Sequence, residues 1–238
     1  MRRKLDYPET WLAPPAGRVV VVAPHPDDET IGCGGVLALH RQQGDEVHVV
    51  VVTDGGAGDS QQRYPSEGYV ERRRDECRAA AAMLGLAQPE FLGFADQGLA
   101  PGGALRAAIV AALERLRPNV VYHPPELEMH PDHHVVGTEV VASIASLSLD
   151  ARSFAYETWV PVVPTHVIDV SSVWAVKQRA LACYESQLAY NDYLRVCDGL
   201  SAYRAIFLPQ ARHVEAFAET TRRRAAPRGR LRRMLAPD

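Results

Sequence analysis

Two short segments combine histidine and carboxylate side chains at a spacing that suits metal chemistry. The first reads His25-Pro-Asp-Asp-Glu, and the second, much further along the chain, reads His130-Pro-Asp-His-His. Zinc in hydrolases takes three protein ligands from His, Asp and Glu and leaves one position open for water. Because the two segments supply these donors without a thiolate, they predict a mononuclear zinc site, with Mn, Fe and Co as open alternatives.

The spacing suggests a role for each of these residues. His25 and Asp28 lie three positions apart, so they could converge on one ion from a turn or a first helical turn, with His133 as the third ligand. Asp27 would take the proton of the attacking water, as a general base does. His130 would stabilise the oxyanion or protonate the leaving nitrogen.

The elements that must position these residues alternate between strand and helix. Short β-branched runs predict buried strands, and apolar residues three and four positions apart predict helices. The predicted strands cover 18–23, 46–53, 91–94, 119–122, 154–160, 166–170 and 212–218, and the predicted helices cover 30–43, 70–84, 104–116, 134–148 and 171–185. This order predicts an α/β fold with a mainly parallel sheet and helices on both faces. Both polar segments follow predicted strands, at the carboxyl ends where such folds bind ligands.

A purely structural role is the main alternative for the two segments. Pro and Asp are common turn residues after a strand, and Asp28 or Glu29 could cap the next helix. His133 could be a surface histidine. Two such segments at the ends of strands in one sheet nevertheless favour the metal site.

The sequence around these residues resembles that of a known family. APHPDDE at residues 23–29 and HPDH at residues 130–133 are similar to segments of the LmbE-like, or PIG-L, zinc de-N-acetylases. Three further segments, at 73–85, 94–96 and 177–187, continue the similarity, so that it covers about residues 18–218. The resemblance implies a single Rossmann-like domain with one catalytic zinc ion.

The resemblance also implies an activity and a set of site residues. The family hydrolyses the acetamide of N-acetylglucosamine conjugates to the free amine and acetate. By motif position, the implied zinc ligands are His25, Asp28 and His133. The implied general base is Asp27, and the implied electrostatic or acid partner is His130. Arg73 and Asp96 are the implied binders of sugar hydroxyl groups. Glu29 is expected to cap or orient its loop.

One position departs from the family's pattern. Some members from sugar-thiol pathways have a Tyr just before HPDH, whereas this chain has residues 126–129, Glu-Leu-Glu-Met. Tyr122 lies further back and is expected to pack within its strand. We therefore expect removal of an N-acyl group, acetyl first, from an amino-sugar conjugate whose aglycone and acyl chain stay open. A deacylase of a sugar-containing secondary metabolite or thiol conjugate is the alternative.

Other classes of protein fit the sequence less well. The letters DHH at 132–134 also occur in a manganese phosphoesterase family, but HPDDE does not match that family's first motif. The glycines at 32, 34 and 35 follow a strand without forming the GxGxxG of a dinucleotide site. A zinc-binding scaffold without catalysis would not need Asp27 and His130.

Composition and charge set the remaining expectations. Of the 238 residues, 47% are hydrophobic and 23% charged, as in ordinary globular proteins. The net charge of −3 conceals a tail at 221–238 with seven Arg and one Asp, while the rest of the chain is acidic. The acidic residues before the tail oppose binding to a nucleic acid. We therefore expect the tail to be solvated. The alternative is that it contacts a neighbouring subunit of a possible homo-oligomer.

The expected organisation is an N-terminal extension at 1–17, a catalytic domain at 18–220 and the Arg-rich tail at 221–238. The loops at 55–68, 96–103 and 186–200 are expected to form the pocket walls. Four Cys without a CxxC pair favour a reducing compartment. No secretory signal and no apolar run of roughly 20 residues were found, so a cytoplasmic protein without a membrane span is expected.

Overall fold

One mixed sheet forms the centre of the protein. The computed structural model describes residues 7–220. The strands are β1 (Glu9–Trp11), β2 (Arg18–Ala23), β3 (Glu46–Thr53), β4 (Glu90–Phe94), β5 (Val120–His123), β6 (Arg152–Ala155), β7 (His166–Asp169) and β8 (Val214–Glu219). The helices are α1 (Asp28–Gln42), α2 (Tyr69–Met83), α3 (Gly103–Leu116), α4 (Pro131–Leu147), α5 (Trp174–Leu181), α6 (Glu185–Leu188) and α7 (Tyr193–Arg204), with 3-10 turns at Gly56–Gly58, Ser171–Val173 and Ala205–Phe207.

The strand order places β2 and β5 side by side near the middle of the sheet. The order is β1-β7-β8-β6-β5-β2-β3-β4, and each neighbouring pair is parallel except for the two pairs that β8 makes with β6 and β7. The chain builds β3 and β4 on one side of β2 and then crosses to β5 on the other side. Ligands of open parallel sheets bind at such a change of direction, outside the carboxyl ends of the strands.

Helices cover both faces of the sheet, as the sequence predicts. Along β2 the side chains of Val19 and Val21 enter the core beneath α1, α2 and α5, whereas those of Val20 and Val22 enter the core beneath α3 and α4. This alternation follows from the two-residue period of a strand. It also explains why β2 is a continuous apolar run, since both of its faces are buried. The protein is a single-domain α/β fold with a mostly parallel sheet.

Helix α1 is bent at Cys33, whose backbone dihedrals, φ −143° and ψ 16°, are not helical. The glycines around the bend allow a close approach of other elements. A Cβ atom on Gly32 would lie 2.3 Å from the Tyr156 ring, and one on Gly35 would lie 2.7 Å from the Glu215 carboxylate. The glycine run is therefore inside a packed helix, which accounts for it without a dinucleotide site.

Several elements differ from the sequence prediction. The predicted helix at 171–185 is divided, because a 3-10 turn at Ser171–Val173 precedes α5, which ends at Leu181. Helix α4 begins at Pro131, because His130 caps it and Pro suits a first helical position, and the predicted start at 134 was wrong. The predicted strand at 154–160 is β6, which ends at Ala155. Helix α7 occupies part of the predicted loop at 186–200.

Two findings bear on the ends of the chain and on membranes. Residues 9–11 form β1 at the sheet edge beside β7, a strand that the sequence did not predict. The Arg-rich tail, 221–238, lies outside the described residues. Within 7–220, no helix has both the length and the apolar character that a membrane crossing requires.

Candidate active site

The two polar segments meet at the carboxyl ends of β2 and β5. Residues 25–28 follow β2 and lead into α1, while His130 and His133 lie at the start of α4, after β5. Because β2 and β5 are adjacent and parallel, both segments leave the sheet at the same edge. Asp96 joins them from the loop after β4. The sequence prediction that strand ends gather these residues is confirmed.

Three donor atoms of the cluster are mutually close. His25 Nδ1 lies 3.2 Å from Asp28 Oδ2 and 3.2 Å from His133 Nε2, and the latter two atoms are 3.1 Å apart. Ligands bound tetrahedrally at typical zinc distances are about 3.3 Å apart. The three atoms therefore fit one metal ion, and they are the donors that the sequence singled out.

Two wider groups of donors share His25. One is His25 with His130 and His133, and the other is His25 with Asp96 and Asp132, the ligand atoms of each group lying within 4.8 Å of one another. The group with Asp96 and Asp132 uses His25 Nε2, at 3.0 and 3.4 Å from the two carboxylates, whereas the trio with Asp28 uses His25 Nδ1.

The ring nitrogens that point away from the trio have polar partners. His25 Nε2 lies 3.0 Å from Asp96 Oδ1 and 3.4 Å from Asp132 Oδ2. His133 Nδ1 lies 3.1 Å from the Thr158 hydroxyl. Partners of this kind fix the tautomer and the ring orientation of metal-binding histidines, so Nδ1 of His25 and Nε2 of His133 are left to face the shared point.

The electrostatics of the cluster match a place for a cation. Burial lowers the pKa of His25, but hydrogen bonds to the carboxylates of Asp132, Asp28 and Asp96 outweigh it and raise that pKa well above its ordinary value. For His133, burial is likewise outweighed by the charge of Asp28, and the pKa rises to about 9. The pKa of Asp28 is lowered, because the histidines offset its burial. The carboxylates thus favour positive charge on the histidines, a charge that a metal ion would supply instead.

Asp27 lies beside the trio in a strained backbone conformation. Its φ is 154°, a region that residues with a Cβ atom rarely adopt and that clusters at functional sites. Its carboxylate is buried and lies 3.3 Å from the Arg73 guanidinium. Burial, partly offset by Arg73, raises the pKa of Asp27 to about 7. A carboxyl group with this pKa suits proton transfer near neutral pH.

His130 faces the same cavity from the start of α4. Its Nδ1 accepts a hydrogen bond from the backbone N–H of Asp132 at 3.3 Å, so the proton of the neutral ring is on Nε2. Burial, together with the charges of His25 and His133, lowers its pKa. The ring is therefore neutral at pH 7 and offers an N–H donor.

Arg73 and Asp96 both line the cavity and both contact site residues. Besides Asp27, the Arg73 guanidinium donates to the backbone carbonyl oxygens of Pro26 at 2.8 Å and Gly55 at 3.2 Å. Asp96 accepts from the backbone N–H of Ala57 at 3.0 Å as well as facing His25. The two residues implied as sugar binders thus also hold Asp27 and His25 in place.

Several site residues have no assigned role in the sequence reading. Thr158 and Glu128 contact His133, with Glu128 Oε2 3.8 Å from His133 Nδ1. Trp159 and Tyr193 line the outer cavity. Glu128 comes two positions before His130, which was a usable signal, whereas Thr158 and Trp159 follow β6 without any motif. Thr158 and Trp159 are therefore recognised as site residues only from the folded structure.

A cavity of about 560 Å³ opens beside the cluster, within the range of roughly 300–1,000 Å³ usual for ligand sites. Its walls include Ala57 to Gln61, Asp96 and Gln97, Thr158 and Trp159, and Gln187 to Val196. The segments expected to form pocket walls do so, although the last of them contains helix α7.

Comparison with known proteins identifies the family. Residues 20–144 match the PIG-L family, described as GlcNAc-PI de-N-acetylase. The chain belongs to this family. PIG-L relatives include the diacetylchitobiose deacetylase of Thermococcus kodakarensis, 29% identical over 81% of this chain and 80% of that protein. Deacetylases are hydrolases of amide bonds, and this protein is an enzyme of that class.

Solved structures agree with the PIG-L assignment at the level of the fold. The N,N'-diacetylchitobiose deacetylase of Pyrococcus horikoshii has a TM-score of 0.75 at 24% identity, over 85% of this chain and 83% of that chain. GalB, a 4-carboxy-2-hydroxymuconate hydratase of Pseudomonas putida KT2440, has a TM-score of 0.75 at 22% identity, over 88% and 98%. Because a hydratase shares the fold, the substrate and the roles of the residues have to be argued from the site.

Proposed function

We propose that this protein hydrolyses the N-acetyl group of an N-acetylglucosamine-type conjugate, with one divalent metal ion, zinc first, held by His25, Asp28 and His133. The observation that carries the proposal is the mutual spacing of these three donors with Asp27 beside them. The family match and the deacetylase relatives support the amide as the bond that is cleaved.

Asp27 and His130 have side chains that suit the proton transfers and hydrogen bonds of this hydrolysis. When bound, the metal ion would act as a Lewis acid that polarises the acetamide carbonyl and acidifies water. Asp27 accepts the proton of the water whose oxygen attacks the carbonyl carbon. The Nε2–H of His130 donates to the carbonyl oxygen as that oxygen gains negative charge. When the C–N bond breaks, the proton passes from Asp27 to the nitrogen, and the products are the free amine and acetate.

Arg73 and Asp96 complete the proposed site. Arg73 holds the carboxylate of Asp27, and Asp96 orients the ring of His25. Since both residues also line the cavity, each is placed to contact a hydroxyl group of the sugar. Either contact would fix the acetamide against Asp27 and His130, and such fixed geometry lowers the barrier of the reaction.

An amine-release assay tests the proposed function. The zinc-loaded protein is incubated with a panel of N-acylated glucosamine conjugates, and the free amine and acetate are quantified. Asp27→Asn, which keeps the size of the side chain but removes its basicity, serves as the matched variant. We expect release with the native protein and a fall in rate of at least about 100-fold in the variant, with zinc retained. Full activity of Asp27→Asn would refute the assignment of the base, and no release from any conjugate would refute the function.

A further inference from the structure

The cavity has a polar inner end and an aromatic outer end. The inner end is formed by the buried side chains of Asp27 and Asp28. The outer end includes Trp159, which is 52% exposed, and Val196, which is 49% exposed. If the acetamide lies at the inner end, whatever the sugar carries must extend along the outer end.

Two aromatic rings form the wall of the outer end. The centroids of Trp159 and Tyr193 are 6.4 Å apart, with an angle of 77° between the ring planes. This edge-on contact holds the indole while leaving much of it exposed. An exposed indole face packs favourably against a flat ring or against the C–H face of a ring.

The loop that carries Trp159 is held firmly at both sides. The preceding Thr158 contacts His133 at 3.1 Å and Glu128 at 3.2 Å. Glu157 is buried, pairs with Arg204 of α7 and accepts a hydrogen bond from the backbone N–H of Val162 at 2.8 Å. Because α7 also carries Tyr193, the two rings are fixed relative to each other and to the metal centre. The aromatic wall is therefore formed before any ligand binds.

The charges along the cavity disfavour an anion. Among the described residues, Arg73 is the one Lys or Arg that lines the cavity, and its charge is paired with the carboxylate of Asp27, 3.3 Å away. Against it stand the carboxylates of Asp27, Asp28 and Asp96, with Asp132 behind them. With a divalent ion in place, the charges of Arg73 and of the three lining carboxylates cancel that of the ion, so the lining has no excess positive charge to pair with an anion. Neutral amides such as Gln61 and Asn191 supply the remaining polar contacts.

Arg63 lies just outside this lining. Its guanidinium stacks on the Tyr190 ring, 4.6 Å from the centroid, and donates to Gln61 Oε1 at 2.8 and 3.1 Å. It also donates to the backbone carbonyl oxygen of Ala189. Each of its three guanidinium nitrogens thus already donates to a neutral protein oxygen, which ties the Arg63 side chain to the wall.

From the aromatic wall and the missing counter-charge we infer that the group attached to the amino sugar is an uncharged ring with an apolar face, which packs on Trp159. The inference rests on the proposed function and narrows its substrate class. Conjugates whose aglycone carries a carboxylate or phosphate are excluded by it. An aromatic aglycone and a second, neutral sugar ring share the required chemistry.

A matched pair of glycosides tests the inference. Phenyl and 4-carboxyphenyl N-acetylglucosaminides differ by one carboxylate, and the methyl glycoside and a neutral disaccharide complete the set. For the zinc-loaded protein we expect kcat/KM for the phenyl compound to exceed that for the carboxyphenyl compound by at least about tenfold. Comparing kcat/KM for the phenyl compound with that for the disaccharide shows whether an aromatic aglycone or a second sugar ring is preferred. Equal or faster turnover of the carboxyphenyl compound would overturn the inference.

Variants locate the effect. Trp159→Ala should raise KM for the phenyl compound about 3- to 10-fold, and should raise KM for the methyl glycoside less. Trp159→Phe should restore part of the loss. Leu12→Ala, at a side chain 99% exposed and outside the cavity lining, is the control. A preference for the carboxyphenyl compound that Arg63→Gln abolishes would instead identify an anion site.

Binding measurements separate this inference from the proposed function. If no glycoside releases an amine, the proposed function fails, but calorimetric Kd values for the phenyl and carboxyphenyl compounds still decide the inference. Tighter binding of the phenyl compound by at least about tenfold, lost in Trp159→Ala, would support it. Equal or reversed affinities, or no binding of either compound, would overturn it.

Discussion

The carboxylate of Glu29 accepts a hydrogen bond from the backbone N–H of Asp27, with 3.2 Å between the nitrogen and Oε2. Its other oxygen accepts from the hydroxyl groups of Thr30, at 2.8 Å, and of Tyr184. The backbone of Asp27 is strained, and strained residues persist only where the surroundings hold them. Glu29, itself buried and tied to α5 and α6 through Tyr184, provides that hold.

Tyr184→Phe tests this positioning role. The change removes one hydrogen bond to Glu29 and keeps the buried ring, so the fold should survive while Asp27 loses part of its support. We expect kcat for amine release to fall about tenfold, since small misplacements of a catalytic group are costly, with KM and zinc content unchanged. Tyr203→Phe, at a tyrosine 62% exposed on α7, is the control. An unchanged kcat would show that Tyr184 only packs.

Metal analysis of His25→Ala tests the proposed ligands. The variant removes one atom of the donor trio, and we expect zinc affinity to fall by more than the 10- to 100-fold typical of losing a ligand's hydrogen-bond partner. His134→Ala is the matched control, because His134 is exposed on α4 next to His133. Zinc retained through dialysis by the control and lost by His25→Ala is the expected result. Full occupancy in His25→Ala would remove this residue from the ligand set.

The residues of the candidate site show which parts of a site the sequence reveals. His25, Asp28 and His133 follow buried apolar strands, and the parallel order of those strands brings their ends together. The apolar runs predict the strands, and the alternation of strands with helices predicts their parallel order, so both can be inferred from the sequence. Thr158 and Trp159 reach the site because β6 pairs with β5, and nothing in the residues around them predicts that pairing.

Helix α7 escaped prediction for a different reason. Its buried side chains are Cys197, Ser201 and Arg204, so it lacks the apolar stripe by which a helix is recognised. Arg204 is buried because Glu157, distant in sequence, neutralises it. Strand β1 is three residues long, too short to show a period. Patterns therefore predict elements that bury apolar faces, and they miss elements held by polar pairs or by single strand contacts.

A buried ion pair beside the bend of α1 leads to a prediction about stability. Lys177 donates to Glu215 at 2.7 Å and to the backbone carbonyl oxygen of Ile31 at 2.8 Å. Glu215 also accepts from the backbone N–H groups of Gly35 and Val36, just after the bend, at 2.8 and 2.7 Å. Lys177→Met strands the buried charge of Glu215 and should lower the free energy of unfolding by about 3–5 kcal/mol.

Two further variants check this prediction by denaturant unfolding. Lys177→Met combined with Glu215→Gln removes the stranded charge and keeps an acceptor, so the double variant should lose less than the sum of the two single losses. Arg179→Met, on the exposed side of the same helix, should change stability by less than about 0.5 kcal/mol. Additive losses would show that the pair is not coupled.

His123 predicts how stability depends on pH. Its ring is buried between the Pro124 carbonyl oxygen, at 2.7 Å, and the Thr220 hydroxyl, at 2.9 Å, and burial lowers its pKa to about 4. In the unfolded chain a histidine titrates near about 6.5. Between these values only the unfolded state takes up the proton, so stability falls as the pH falls.

His123→Gln removes this proton uptake. The stability advantage of the native protein over the variant should shrink by about 2 kcal/mol between pH 7 and pH 5, measured by urea unfolding. His48→Gln, at a partly exposed position on β3, is the control, and an advantage over His123→Gln that stays constant with pH would contradict the assignment.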